Sequence, residues 1–219
     1  MNDMKRRTFS SAAGAALAFG SGFGSRARAQ ARQPESGWDY LTLKQPVAVE
    51  APAGSIEVVE FFWYNCRFCN AFEPVLEAWS QRLPKDVVLR RVPVGFRDEF
   101  VPQQRLFYTL RAMGELDRLH ARVFAAIHAE RVDLSRGPAI LEWVVQQGVD
   151  KARFSALYTS PEVQSAVSSA TRLQDAYKVE GVPAMGVAGR FYTDGSIATN
   201  MQRALQVVDY LLVEVRSGR

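Results

Sequence analysis

Residues 56–69 read IEVVEFFWYNCRFC, and this stretch decides the fold. Its first nine residues are almost all β-branched or aromatic, which predicts a central strand buried on both faces. Glu60 stands out as a carboxylate in the middle of that strand. Apolar residues then recur at helical spacing, so we predict a helix over residues 66–82, kinked by Pro74 and ended by Pro84. The cysteines therefore lie where a buried strand gives way to a helix.

Further strands and helices are predicted on both sides of this unit. Short strands are predicted at residues 40–43, 86–94, 184–188 and 189–192. Four or five helices are predicted between residues 101 and 177, and a last one over residues 201–215. The order predicts an α/β fold with an inserted all-helical domain: a first part over residues 30–100, the insert over 101–178, and a second part over 179–219.

The first 29 residues are predicted to be an export signal. A basic start that includes Arg6 and Arg7 is followed by 18 residues without a charge, nine of which are Gly, Ser or Thr. Such a span is too short and too weakly apolar for a membrane helix. A small-x-small cleavage pattern ends at Ala29, and the paired arginines resemble a twin-arginine signal. We therefore expect a mature chain that starts at Gln30 and lies in the oxidising bacterial periplasm.

The charge of the chain is concentrated in that signal. The whole sequence has 27 Lys and Arg against 23 Asp and Glu, a net charge of +4. Residues 1–29 hold five of the basic groups and one acid, so the remaining residues carry 22 of each. Because the body of the protein is neutral, binding of nucleic acid or of an anionic membrane surface is not expected.

The only cysteines are Cys66 and Cys69, at the predicted start of the helix. The first helical turn carries unsatisfied N–H groups and a partial positive charge, which favour a thiolate over a thiol. We therefore expect a lowered pKa for Cys66, at the exposed tip, and an interior position for Cys69. Stabilising the reduced pair makes its disulfide a ready electron acceptor, so the motif predicts an oxidant of other proteins' thiols.

Three other interpretations of the cysteines are weaker. A structural disulfide closed over so short a loop removes little chain entropy. A zinc site needs two more ligands, and His120 and His128 are eight residues apart rather than three to five. Two inert thiols would oxidise in an exported protein. No metal and no organic cofactor are therefore expected.

The chain resembles the DsbA family of periplasmic thiol:disulfide oxidoreductases, which have a thioredoxin-like fold. The resemblance rests on Val-Glu-Phe-Phe at residues 59–62, on the C-x-x-C motif after a strand, and on Gly-Val-Pro-Ala-Met at residues 181–185 before a hairpin. It covers nearly the whole mature chain. It implies that Cys66 is the attacking cysteine, that Cys69 is the resolving one, and that Pro183 is a cis-proline beside them, where Val182 pairs with a substrate strand.

The resemblance also places Arg91 beside Glu60. A carboxylate in an apolar strand costs several kcal/mol unless it is paired, and Arg91 lies on the neighbouring predicted strand. Two roles for Glu60 stay open: proton relay to the Cys69 thiol during exchange, or a satisfied ion pair without a kinetic role.

The chain departs from the family between the cysteines, where strongly oxidising members have Pro-His and this sequence has Arg67-Phe68. Phe68 has no group that donates to sulfur. Arg67 supplies a permanent charge if its guanidinium folds back over Cys66, and none if it faces solvent. The redox potential of the family therefore does not transfer to this chain.

These observations predict a periplasmic oxidoreductase that donates a disulfide from Cys66 and Cys69 to reduced exported proteins. The resemblance implies a membrane partner, linked to quinone, that reoxidises the pair. A disulfide isomerase or reductase is the alternative within the class, and a non-catalytic, chaperone-like peptide-binding module with an aromatic surface near Phe68 is the alternative outside it. No dimerisation module is evident, so a monomer is expected.

Overall fold

The computed structural model describes residues 32–218. The predicted export signal, residues 1–29, lies outside the described residues. Among the residues described, no helix is both long and apolar enough to cross a membrane.

The described strands form one mixed sheet in the order β1-β5-β4-β2-β3. Their bounds are β1 Leu41–Thr42, β2 Ile56–Phe62, β3 Val87–Pro93, β4 Ala184–Val187 and β5 Phe191–Asp194. β2 pairs with β3 in parallel and with β4 antiparallel, so it has a neighbour on both sides. The predicted central strand is confirmed, since residues 57–62 are buried throughout.

Seven α-helices are described. They are α1 Arg67–Ser80, α2 Val101–Met113, α3 Leu116–His128, α4 Gly137–Gln146, α5 Lys151–Tyr158, α6 Pro161–Tyr177 and α7 Met201–Arg216. Five of them, α2 to α6, lie between β3 and β4, which agrees with the predicted all-helical insert. The exact division of the chain at residues 101 and 178 stays a prediction. The α1 helix begins one residue later than predicted, because Cys66 is its N-cap, and it continues through Pro74.

Helices cover both faces of the sheet. Val59 and Phe61 of β2 belong to a core shared with α2 to α6, whereas Val58 belongs to a second core built with α1 and α7. Adjacent residues of a strand point to opposite faces, so this division follows from the strand geometry. The sheet is thus buried on both sides and forms the rigid base from which the β2–α1 connection projects.

The register of the sheet brings distant parts of the chain together at one end of β2. Phe61 pairs with Ala184, the first residue of β4, so the residues just before β4 lie beside the segment that follows β2. On the other side, Glu60 pairs with Arg91 of β3. Both juxtapositions place predicted site residues near the cysteines.

The ring of Tyr177, at the end of α6, lies directly on Gly186 of β4. A Cβ atom at Gly186 would lie 2.7 Å from Tyr177 Cζ. The tyrosine is buried, packs edge-on against Phe61 at 5.2 Å between ring centroids, and its hydroxyl accepts a hydrogen bond from the Gly189 N–H. A side chain at residue 186 would therefore force the Tyr177 ring or the backbone next to it to move.

Candidate active site

The two cysteines occupy the first turn of α1. Cys66 is the N-cap, with an extended backbone, and its Sγ accepts a hydrogen bond from the Cys69 N–H at 3.3 Å. Cys66 is partly exposed, while Cys69 is fully buried. The structure describes both as free thiols.

The surroundings shift the two thiol pKa values in opposite directions. Hydrogen bonding from the Cys69 side chain, helped by the Cys69 and Phe68 N–H groups and by the Arg67 charge, lowers the pKa of Cys66 to about 6, although burial opposes this. Burial raises the pKa of Cys69, and the Cys66 sulfur and the Glu60 charge raise it further. At neutral pH the reduced site therefore holds a thiolate at Cys66 and a thiol at Cys69.

The peptide bond between Val182 and Pro183 is cis, as the resemblance implied. The Val182 carbonyl oxygen lies 3.5 Å from Cys66 Sγ and accepts a hydrogen bond from it only while Cys66 is protonated. The backbone of Val182 thus faces the exposed cysteine from across the site.

A mainly apolar cavity of about 590 Å³ begins beside the cysteines. Its lining includes Phe68 and Phe72 of α1, Val182 and Pro183 before β4, and Met201 of α7. The Phe68 side chain is 60% exposed at its rim. Phe68 and Pro183, which the sequence analysis selected separately, therefore share one groove.

The Arg67 guanidinium lies over the Phe68 ring, 4.6 Å from its centroid. Arg67 is exposed to solvent with its guanidinium against this ring, and its charge is the smallest of the influences that lower the Cys66 pKa. Hydrogen bonding from the Cys69 side chain and from the N–H groups of the helix turn, rather than the side chains between the cysteines, contributes most to stabilising the thiolate.

Glu60 and Arg91 lie close together, but other acids share the arginine. Arg91 Nε is 3.4 Å from Glu60 Oε2, whereas its NH2 group donates to Glu73 at 2.9 Å and to Glu77 at 3.0 Å. Among the described residues, neither carboxylate oxygen of Glu60 has a hydrogen-bond partner. The expected ion pair between Glu60 and Arg91 is thus present, but Glu60 accepts no hydrogen bond from the arginine and shares it with two other acids.

The buried acids of this cluster differ in protonation. Burial raises the pKa of Glu60 well above its usual range, the neighbouring Glu73 raises it further, and Arg91 only partly opposes the rise. For Glu73, burial also raises the pKa, but hydrogen bonding and charge from His120 and Arg91 outweigh it, so the net pKa is lowered. Glu60 is therefore the group in this cluster that is poised to hold a proton.

The sequence analysis missed Glu73, although a signal was present. Glu73 and Glu77 follow Cys69 at successive four-residue steps, which places all three on one face of α1. The sequence analysis also considered His120 and His128 only as zinc ligands. Among the described residues, no group of three or more His, Cys, Asp and Glu side chains lies close enough together to hold a metal ion.

A Glu60→Gln variant is expected to gain stability over the wild type as the pH rises. Because the folded protein binds the Glu60 proton more tightly than the unfolded chain, wild-type stability falls from pH about 4.5 up to the raised pKa, and the amide variant escapes this loss. Every unit by which the pKa is raised contributes about 1.4 kcal/mol. Urea unfolding of both reduced proteins between pH 4 and 9 measures the difference; a difference independent of pH would contradict the raised pKa.

The fold and the paired cysteines define a thiol:disulfide oxidoreductase of the thioredoxin class. Residues 57–206 match the family model of the DSBA-like thioredoxin domain. The chain belongs to this family, and the resemblance seen in the sequence is confirmed.

Named relatives agree in sequence and in structure. The thiol:disulfide interchange protein DsbA of Bordetella pertussis is 42% identical over 189 residues, 86% of this chain and 90% of the relative. The protein of the same name from Burkholderia cepacia is 38% identical over 193 residues, 88% and 91% of the two chains. The crystal structure of Pseudomonas aeruginosa DsbA superposes with a TM-score of 0.80 at 37% identity, covering 84% of this chain and 96% of that one. The crystal structure of the oxidoreductase DsbA from Xylella fastidiosa superposes with a TM-score of 0.79 at 32% identity, covering 85% of this chain and 100% of that one.

Proposed function

We propose that this oxidoreductase works as an oxidase: it donates the Cys66–Cys69 disulfide to reduced proteins exported to the bacterial periplasm. The observation that carries the proposal is the opposite shift of the two thiol pKa values, to about 6 for Cys66 and upward for Cys69. At pH 7 a thiol of pKa about 6 is about 90% thiolate. Stabilising the Cys66 thiolate stabilises the reduced enzyme relative to the enzyme with the Cys66–Cys69 disulfide. The disulfide is therefore readily reduced, which makes it an oxidant of substrate thiols.

In the proposed reaction a substrate thiolate attacks Cys66 Sγ. The Cys66–Cys69 bond breaks, its electron pair goes to Cys69, and a mixed disulfide joins the substrate to Cys66. Cys69, with its raised pKa, takes up a proton. A second substrate thiolate then attacks the substrate sulfur of the mixed disulfide, and Cys66 leaves as a thiolate. The substrate has lost two electrons to the enzyme and has gained a disulfide.

Glu60 is proposed to supply the proton that Cys69 takes up. Its charge raises the Cys69 pKa, so the two groups interact, and its own raised pKa lets it carry a proton near neutral pH. Arg91 is proposed to moderate the Glu60 pKa, because it is the group that lowers it.

The substrate is proposed to bind as an extended segment along Val182 and the adjoining groove. The Val182 backbone faces Cys66 at 3.5 Å, and the cavity beyond it is lined mainly by apolar side chains. Phe68 at its rim offers a ring to an apolar substrate side chain, and Arg67 stacked on that ring adds a positive charge. Apolar sequence around a reduced cysteine is typical of a chain that has not yet folded.

The location and the partners are part of this proposal. The signal predicted at residues 1–29 supports export by the twin-arginine route. A spent dithiol needs an oxidant, and we propose a membrane partner linked to quinone for that step. We propose that the chain acts as a monomer.

Alkylation of the reduced protein by iodoacetamide is expected to titrate with a midpoint near pH 6, owing to Cys66. The same titration in denaturant is the control and should move to about pH 8.5, because the helix turn is lost. A native midpoint at or above about 8.5 would contradict the proposed role of Cys66.

The direction of exchange is tested by equilibration with glutathione: an oxidase should have a potential above about −200 mV, and a value near −270 mV would indicate a reductase.

A further inference from the structure

Side chains of the helical insert form hydrogen bonds to the turn that precedes α1 and ends at Cys66. It spans residues 63–66 and is closed by a hydrogen bond from the Cys66 N–H to the Trp63 carbonyl at 3.0 Å. Of its two central residues, Tyr64 is fully buried and Asn65 is exposed. The position of this turn decides where the Cys66 sulfur lies relative to the first turn of the helix.

Both histidines of the chain bond to the same residue of this turn. His120 Nδ1 is 2.8 Å from the Tyr64 hydroxyl, and His128 Nε2 is 2.8 Å from the Tyr64 carbonyl oxygen. A carbonyl only accepts, so Nε2 of His128 carries a proton. Burial raises the pKa of Tyr64 well above its usual range, so its hydroxyl keeps its proton beside His120. Helix α3 therefore bonds to Tyr64 at both its side-chain hydroxyl and its backbone carbonyl.

A third bond reaches the turn from α2. Gln103 Nε2 donates to Asn65 Oδ1 at 2.9 Å and also to the Leu134 carbonyl at 3.2 Å. Gln103 is only 2% exposed, so its amide is fixed within the core. Each central residue of the turn is thus anchored to the insert.

We infer that Gln103, His120 and His128 are positioning residues that keep the Cys66 sulfur at the N–H groups of α1. The inference rests on the proposed role of Cys66 as the reacting cysteine. Packing alone needs only apolar side chains at these sites, whereas hydrogen bonds to a carbonyl, a hydroxyl and an amide fix the turn in direction as well as in distance. The insert thereby contributes to the chemistry of the thiolate without touching the sulfur.

The test is the alkylation titration of Cys66 in variants of His128. His128→Leu removes the bond to the Tyr64 carbonyl and is expected to raise the Cys66 pKa by about one unit, because the turn no longer holds the sulfur at the N–H groups of α1. His128→Gln places an N–H donor near the same position and is expected to titrate as the wild type does. A reduction potential that becomes less oxidising in His128→Leu is the accompanying readout.

Two further variants separate positioning from stability. Asn65→Ala changes an exposed residue and loses only the Gln103 bond, so it folds and should also raise the pKa. Val144→Ala, fully buried on α4, should lower the melting temperature and leave the titration unchanged.

The inference is overturned if folded His128→Leu titrates as the wild type does, or if Val144→Ala shifts the pKa as well. If His128→Leu does not fold, an unshifted Asn65→Ala overturns it. A wild-type midpoint near 8.5 would instead contradict the proposed function itself.

Discussion

Cys66→Ser is expected to abolish disulfide transfer to a reduced substrate protein. A serine hydroxyl forms no disulfide, so neither the oxidised enzyme nor the mixed disulfide exists in this variant. The loss should be complete within the background of uncatalysed oxidation, because Cys69 is then the only cysteine and has no partner for an internal disulfide. The measurement is oxidative refolding of a reduced substrate, followed by mass spectrometry. Residual transfer above that background would end the assignment of Cys66.

Cys69→Ser provides the matched comparison. Its Cys66 stays partly exposed, so the Cys66 thiolate should still attack a disulfide of an oxidised substrate protein, form a mixed disulfide with one substrate sulfur and release the other as a thiolate. Because the internal resolving thiol is missing, this species should accumulate and be visible on a non-reducing gel. If Cys69→Ser reacted poorly and Cys66→Ser formed the mixed disulfide, the roles of the two cysteines would be reversed.

Gly186→Ala is expected to cost about 2 to 3 kcal/mol of stability, the upper range for overpacking a core. The added Cβ would meet the Tyr177 ring at 2.7 Å from Cζ, and the ring is buried and also packed edge-on against Phe61, which leaves it little room to move. For a chain of this length the melting temperature should fall by about 5 to 10 °C. Differential scanning calorimetry measures the change.

Gly137→Ala is the control for this substitution. Gly137 is the first residue of α4, and a Cβ there would lie 3.6 Å from the nearest atom of Tyr158, which is an ordinary contact. Alanine restricts the unfolded chain more than glycine does, so this variant should be as stable as the wild type or about 0.5 kcal/mol more stable. Equal losses in the two variants would show that the Tyr177 contact is not the cause.

Local patterns in the sequence predict most of the fold. The β-branched and aromatic run before Cys66 predicts β2, and the apolar spacing after it predicts α1 to within two residues at its C-terminal end. The start of α1 was placed one residue early, because Cys66 caps the helix with an extended backbone, a detail that periodicity does not carry. The strand order is not visible in local patterns, since it depends on pairing between residues as distant as Phe61 and Ala184.

The site was only partly predictable for the same reason. The cysteines, Glu60 and Pro183 belong to short motifs, so the sequence identifies them. The sharing of Arg91 among three carboxylates and the bonds of both histidines to Tyr64 arise where α1, β3 and α3 pack together. Such contacts join residues up to 64 positions apart, as His128 and Tyr64 are, and no spacing rule connects them.

The cysteines and the backbone that faces them are made at very different times. Val182 follows Cys66 by 116 residues, which a ribosome translates in about 6 to 23 s at about 5 to 20 residues per second. Throughout that interval the reactive pair has no Val182 opposite it, and the helical insert is still being synthesised. In the nascent chain the two thiols therefore lack their complete surroundings. The active site forms only after the last fifth of the chain has been synthesised and Val182 has come to lie against Cys66.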